Sequence, residues 1–372
     1  MARYVPAEVT GRMRSAARCE ATLARYEAFQ LLPLWPLPFA SRVPRMAESS
    51  PTPSPPRKSA APKFTLESFG LTDVGLVRDG NEDALLLLEE ETLYVVADGM
   101  GGHSAGEVAS AFTIEALRAF YGNPDLTRRV KSSYLRSRRA KQEMTEAEAS
   151  HHALRLRKAV ESANISVFRL AQQHEQLRDM GTTVVAAKFQ KNRVHIANVG
   201  DSRLYRVRSG KLQQLTEDHS LLNEYIRMNL LQPEEIETFP YKNVIVRALG
   251  LQESVTVDLF VSGVRRGDQF LLCSDGLTDL VRDEEIAAIL RNAPAASVAC
   301  HRLTELAKAR GGHDNITTLL VRAHEVGWRP PAPRIPPPPP PMASGSSGVV
   351  HAVIPPPPPG AAPVHIPPPP TK

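Results

Sequence analysis

The chain has 372 residues, 42% hydrophobic and 23% charged, a globular composition with room for one large domain or two ordinary ones. Its formal net charge of +5 falls to about −2 once the seven Lys/Arg between Arg128 and Lys141 are set aside, so the basicity is local and no nucleic-acid-binding face is expected. No run reaches the roughly 18 apolar residues of a membrane span. Cys19, Cys273 and Cys300 form no CxxC pair, which argues against structural zinc and for a reducing, cytoplasmic setting.

In chain order, residues 1–62 read as a disordered or mis-annotated extension. The apolar stretch LLPLWPLPFA at 31–40 is short and broken by prolines, and Met46 opens a polar Pro/Ser-rich leader and is the expected alternative start of translation. Residues 63–325 form the expected folded domain. LLLLEEETLYVVADG predicts two strands joined by an acidic turn, and EVASAFTIEALRAFY and HALRLRKAVESANISVFRLAQQ have helical spacing. Between them, 127–158 is a basic helical insertion, read as a solvated face, with an anionic docking surface as the sharper alternative. TTVVAAKFQKNRVHIANVGDSRLYRVRSGKLQQL predicts a β-meander with Lys-Asn and Ser-Gly turns. FLLCSD and ITTLLVRA are further strands, separated by helices at 283–291 and 296–309. Grouped strands and separately grouped helices predict an α+β class with antiparallel sheets and outer helices. Residues 326–372 are a disordered proline-rich tail whose runs at 336–341, 355–359 and 367–370 each follow an isoleucine. Polyproline II is the regular state open to such runs, which serve either as a ligand for a proline-reading domain or as a stiff spacer.

Four acidic strings carry the chemistry: Glu82-Asp83, Asp98-Gly99, Asp275-Gly276 and Asp314-Asn315, each beside an apolar run. Unpaired buried carboxylates are costly, so several at strand ends imply a cation among them. Asp98 runs into a Gly-rich turn that lets the Gly99 carbonyl face the same cation. Taken alone, DGMGG also fits a phosphate loop or a plain tight turn, and Asp275 also fits a helix N-cap. With Asp314 the donors are all hard oxygens, favouring Mg²⁺ or Mn²⁺ over zinc. Arg78, four residues before Glu82, suits a phosphate held through two parallel N–H···O bonds; a salt bridge to Asp79 or Asp83 is the plainer reading.

The ordered strings RDGNEDA, VADGMGGHSAGEVAS, GTT, NVGDSRLYRV, DHS, VRALG, CSDGLTD and GGHDNIT resemble the type 2C metal-dependent protein serine/threonine phosphatases, the PPM family, and its bacterial branch in particular. The resemblance covers about residues 64–323 and neither tail. It implies a four-layer α/β/β/α sandwich with a dimetal cleft at one edge. By motif, Asp98 bridges two Mn²⁺ or Mg²⁺ ions, the Gly99 carbonyl completes one, and Asp275 and Asp314 hold the other. Glu82 and Asp83 act through metal-bound water, Asp201 joins Asp275 at a weaker third site, and Arg78 grips the substrate phosphate. Residues 219–243 correspond to a mobile flap.

The implied reaction is direct attack of a dimetal-bridging hydroxide on phosphoserine or phosphothreonine of proteins, opposite Hanks-type kinases. No phosphoenzyme is needed, and the cysteines lack a CX₅R loop. Met100 stands where the eukaryotic branch has a histidine proposed as general acid, which leaves metal-bound water as the expected proton donor; His103 is assigned to turn geometry. The phosphorylated partners are expected to meet a monomer. Two other readings share the sequence: a proline-tail scaffold with weak catalysis, and a phosphatase for small phosphate metabolites.

Overall fold

The computed structural model describes residues 64–326, apart from 102–104, 141–144, 146–148, 237–238 and 242–243. Cys19, His103, the N-terminal extension and the proline runs lie outside the described residues.

Among the described residues eleven strands form two antiparallel sheets. The first takes β1 (Phe64–Asp73), β11 (Ile316–Glu325), β10 (Gln269–Cys273), β7 (Arg203–Arg208) and β8 (Lys211–Gln214), in that spatial order. The second takes β2 (Asp83–Leu88), β3 (Leu93–Met100), β5 (Val184–Gln190), β6 (Arg193–Val199) and β9 (Asp258–Gly263), with the short β4 (Gly181–Thr182) paired to β3. Helices α1 (Ala105–Gly122) and α3 (His151–Gln173) cover the second sheet, while α6 (Asp283–Asn292) and α7 (Ala296–Ala309) cover the first. The result is α+β, with the antiparallel sheets and outer helices expected from the residue pattern and the four-layer sandwich that the resemblance implied.

Strand alternation builds three apolar layers. Tyr94 and Val96 of β3, Phe270 and Leu272 of β10, and Leu319 and Val321 of β11 point between the sheets. Their neighbours Val95 and Ala97 face α1 and α3, and Leu271, Cys273 and Leu320 face α6 and α7. Successive residues pointing to opposite faces explain why these strands read as continuous apolar runs: both faces are buried. Free Cys273 and Cys300 are packing residues in the layer against α6 and α7.

One expectation is revised. The segment from 182 to 214 is not a single meander: β5 and β6 pair in one sheet, β7 and β8 in the other. The chain crosses at Gly200-Asp201-Ser202, where Gly200 has φ +105°, and a Cβ there would meet Thr183 at 2.6 Å. Hydrophobic periodicity reports a strand's faces and not its sheet, so the crossing is invisible to it. The turn at Ser209-Gly210 has φ of 50° and 78°, the paired positive values of a type I′ hairpin.

Residues 127–139 belong to α2 (Pro124–Arg139), capped by Asn123 Oδ1 accepting from the N–H groups of Asp125 and Leu126. Val130 is its one buried residue. Where α3 begins, His152 stacks on His195 of β6 with ring centroids 6.1 Å apart, beside His151, Lys188 and Arg155. Burial first, then these neighbouring cations, hold His152 down to about 4; burial, Arg193 and Lys188 do the same for His195. The unfolded chain therefore takes up these protons from about pH 6.5, the fold only near 4. Their stabilising contribution is complete above pH 6.5 and is lost as pH falls toward 4. Removing the 3%-exposed His195 imidazole as His195→Gln should spare the protein on the order of 1–2 kcal/mol of acid destabilisation at pH 5. Melting curves at pH 7.5 and 5.0 check this: equal acid shifts in variant and wild type would exclude it.

Candidate functional site

All the site residues anticipated from sequence lie at one end of the sandwich, and backbone register places them there. Asp83, first residue of β2, pairs directly with Asp98 near the end of β3. Arg203, just after Asp201, pairs with Cys273, just before Ser274-Asp275, and Cys273 pairs with Thr318. Asp314 leads into the same β11 end.

Hydroxyl and amide side chains tie these ends together. Ser274 Oγ donates to Asp83 Oδ2 at 2.7 Å and accepts from Thr317 N at 3.0 Å, stitching the two sheets beneath the acids. Thr183 Oγ1 accepts from Asp98 N at 3.0 Å and meets Ser202 Oγ at 2.7 Å. Asn315 donates to the carbonyls of Val74 and Gly80, both at 2.9 Å, and accepts from Glu82 N at 2.7 Å, so one buried amide shapes the whole 74–82 loop. Gly99 N donates to Glu82 O at 3.0 Å.

Asp275 is the first residue of the short α5 (Asp275–Thr278), and the N-cap position belongs to Ser274, which makes no side-chain cap bond. The simple capping reading of Asp275 therefore fails. Arg78 pairs with neither Asp79 nor Asp83: its Nη2 donates to Asp314 Oδ2 at 2.8 Å, leaving Arg78 about half exposed at the rim.

The electrostatics are those of crowded like charges. Asp98 is raised well above the usual carboxylate range by desolvation and then by Asp83, Asp275, Asp201 and Asp314. Burial foremost lifts Asp83 and Asp201 to about 7, and burial followed by Asp279 and Asp314 lifts Asp275 to about 6. Glu82 is raised by burial against the opposing pull of Arg78.

Two buried oxygens, Asp83 Oδ1 and Asp201 Oδ1, have no hydrogen-bond partner. Orphaned acceptors among mutually repelling acids fit hard divalent cations. Among the described residues no group of three or more His, Cys, Asp or Glu side chains stands close enough to hold a metal ion by itself.

Sequence reasoning missed the supports Ser274, Thr183, Thr317 and Asn315, and also His219. Buried His219 accepts from Gly200 N at 2.9 Å through Nδ1 and meets Asp258 Oδ2 at 3.1 Å through Nε2. Its backbone bonds Gly200 O and Val246 N, so it clamps the Asp201 turn to the base of the 219–243 segment. Its place inside DHS was the available signal. That segment contains α4 (Leu221–Arg227) and presents exposed Ile226, Met228, Leu230 and Tyr241.

Residues 78–318 match the family model described as Protein phosphatase 2C. A serine/threonine phosphatase stp of Listeria monocytogenes serovar 1/2a is 38% identical over 253 residues, 67% of this chain and 93% of that protein. The serine/threonine protein phosphatase PstP of Mycobacterium tuberculosis H37Rv is 36% identical over 250 residues, 67% of this chain and 43% of that longer protein. The crystal structure of M. tuberculosis PstP/Ppp superposes with a TM-score of 0.59 at 34% identity, covering 70% of this chain and 99% of that one. A structure of the PstP catalytic domain in complex with two manganese ions, also 34% identical, matches 70% of this chain and 99% of its own with a TM-score of 0.57.

Proposed function

The chain belongs to the protein phosphatase 2C family, and from that premise we propose that it is a metal-dependent phosphatase hydrolysing phosphoserine and phosphothreonine esters of proteins. The observation that carries the proposal is the gathering of Asp83, Asp98, Asp201, Asp275 and Asp314 at one sandwich end beside Arg78, with two buried carboxylate oxygens left without partners. Asp98, facing four other carboxylates, would be the ligand common to two Mn²⁺ or Mg²⁺ ions, and the Gly99 carbonyl, Asp275 and Asp314 would be further ligands. Glu82 and Asp83 would hold metal-bound water at the edge of the site, and Asp201 with Asp275 would supply a weaker third position. When bound, such ions acidify water toward neutrality and neutralise phosphoryl charge.

The chain's own groups do the rest. Arg78 stands at the rim, paired through Nη2 with Asp314, and its planar guanidinium receives the substrate phosphate and stabilises charge as the ester bond breaks. Ser274 keeps Asp83 Oδ2 occupied as a hydrogen-bond acceptor and leaves Oδ1 as the oxygen without a partner. Asn315 holds the Arg78–Glu82 loop against β11, which fixes Arg78 relative to the acids.

The proposal extends to phosphoproteins of a bacterial cytoplasm, made by Hanks-type kinases, as partners of a monomer, with the proline runs read by a separate domain. Among the described residues no helix is long and apolar enough to cross a membrane. Phosphopeptide hydrolysis should fall by at least about a thousandfold in EDTA and return with Mn²⁺. Turnover that persists under chelation would refute the reading.

A further inference from the structure

At the opposite end of the first sheet, a cavity of about 380 Å³ opens between the β7–β8 hairpin, the turn before β10 and the end of α6. Arg208, Arg265, Arg266 and Arg291 line it, and the one acid in its wall is Asp268, which is 1% exposed. That carboxylate is already saturated. Arg208 Nε donates to its Oδ1 at 2.8 Å and Nη2 to its Oδ2 at 2.6 Å, and Arg265 N donates to Oδ2 at 2.7 Å. Apart from one exposed ion pair, the remaining positive charge is therefore uncompensated. Among the described residues the guanidinium groups of Arg265 and Arg291 have no hydrogen-bond or ion-pair partner. Arg266 meets only Glu325, at 3.1 Å, with both side chains about 70% exposed, a pair that contributes little.

Neighbouring Arg206 adds to the crowding: it is held below the usual guanidinium range, first by burial and then by Arg208 and Arg265. Arg291 lies over the hairpin turn: a Cβ at Gly210 would stand 3.4 Å from Arg291 Cδ, an ordinary contact distance. Several forked donors around one concavity, with the one carboxylate of its wall spent, make a receptor for a tetrahedral oxyanion.

The geometry points to a docking site for a second phosphate monoester on the substrate, so that the protein acts preferentially on multiply phosphorylated segments. This inference rests on the phosphatase reading. The cavity and the acidic site are separated by the length of β10 and the turn after it, roughly 20 Å at about 3.3 Å per residue. An extended peptide needs about six residues or more to span that distance, and more where it follows the surface.

The test uses the full chain with Mn²⁺ and peptides carrying one scissile phosphothreonine. A non-hydrolysable phosphonate analogue of phosphoserine is placed about 8, 12 or 16 residues to either side, or replaced by alanine or glutamate. At one spacing at least, the phosphonate should raise kcat/KM by about fivefold or more, through KM with kcat unchanged. The double variant Arg265→Glu, Arg291→Glu should abolish that gain and leave hydrolysis of the alanine peptide unchanged. Wild-type kcat/KM that ignores the phosphonate at every spacing, or a gain that survives the double variant, overturns the inference. A gain equally large with glutamate overturns its phosphate specificity. Failure of the phosphatase reading looks different, because the alanine peptide itself would then not be hydrolysed.

Discussion

Asp98→Asn should abolish phosphopeptide turnover by about a thousandfold or more and at the same time make the chelated protein more heat-stable at pH 8. The two effects share one cause. Asp98 faces Asp83, Asp201, Asp275 and Asp314, and desolvation together with these charges raises its pKa well above the usual range. The folded state therefore holds protons that the unfolded chain has released above about pH 4. A raised carboxylate contributes stability that is present below the unfolded value and is lost as pH rises through the folded one. For Asp275, Asp83 and Asp201 that window reaches about 6 to 7. At pH 8 in EDTA, above the Asp83, Asp201 and Asp275 window, the wild-type fold bears the cost of this crowding, as repulsion or as the work of keeping a proton on Asp98. A neutral amide at position 98 removes that cost and leaves the backbone pairing of β3 intact.

The expected gain is on the order of 1–3 kcal/mol, several degrees of Tm for a domain of this size. It should vanish near pH 4, where Asp83, Asp98, Asp201 and Asp275 keep their protons in the fold. Saturating Mn²⁺ should reverse the order, because the wild type then gains ligation free energy that the variant lacks. Melting curves with EDTA at pH 4 and pH 8, and with Mn²⁺ at pH 8, check all three signs. A variant that melts with or below wild type in EDTA at pH 8 would show that repulsion among these carboxylates does not limit the fold.

Much of the arrangement was legible because it is written in local strings. An acid next to an apolar run marks a strand end, and strand ends at one edge of a sandwich converge by register; hence Asp98, Asp275 and Asp314 group together in the sequence itself. The supports were harder to read. Asn315 fixes a loop whose carbonyls lie more than 230 positions away in sequence, and Ser274 spans 191 positions to reach Asp83. Serines and asparagines near turns have many local uses, so nothing in their neighbourhood announces such a partner. The pairing of Arg78 with Asp314, and not with Asp79 or Asp83, has the same origin: the nearest acid in sequence is not the nearest in space. The arginine cavity is the extreme case, since Arg208, Arg265 and Arg291 come from three elements with no motif linking them.

Gly276→Ala should lower stability by about 2–4 kcal/mol and with it Mn²⁺ affinity and turnover. A Cβ at Gly276 would lie 2.0 Å from the Asn315 carbonyl oxygen, 3.0 Å from its carbon and 3.4 Å from Asp314 Cβ. The obstacle is backbone at the start of β11, which cannot rotate away as a side-chain tip could. Relief requires the Asp275–Gly276 turn to part from Asp314–Asn315. That motion spreads two of the proposed ligands and disturbs the amide that holds the Arg78 loop. Gly99 is under the same constraint, with Gly106 O at 2.1 Å and Glu82 O at 2.7 Å from its would-be Cβ. Gly122, at the end of α1 with nothing within 4 Å, is the control: Gly122→Ala should melt at or slightly above the wild-type temperature. At about 2–4 °C per kcal/mol, Gly276→Ala should melt roughly 5–15 °C lower. Its Mn²⁺ titration of activity should also shift to higher concentration, which a purely global destabilisation assayed well below Tm would not produce. If Gly276→Ala melted and bound Mn²⁺ like Gly122→Ala, the close approach of these two turns would not be what shapes the site.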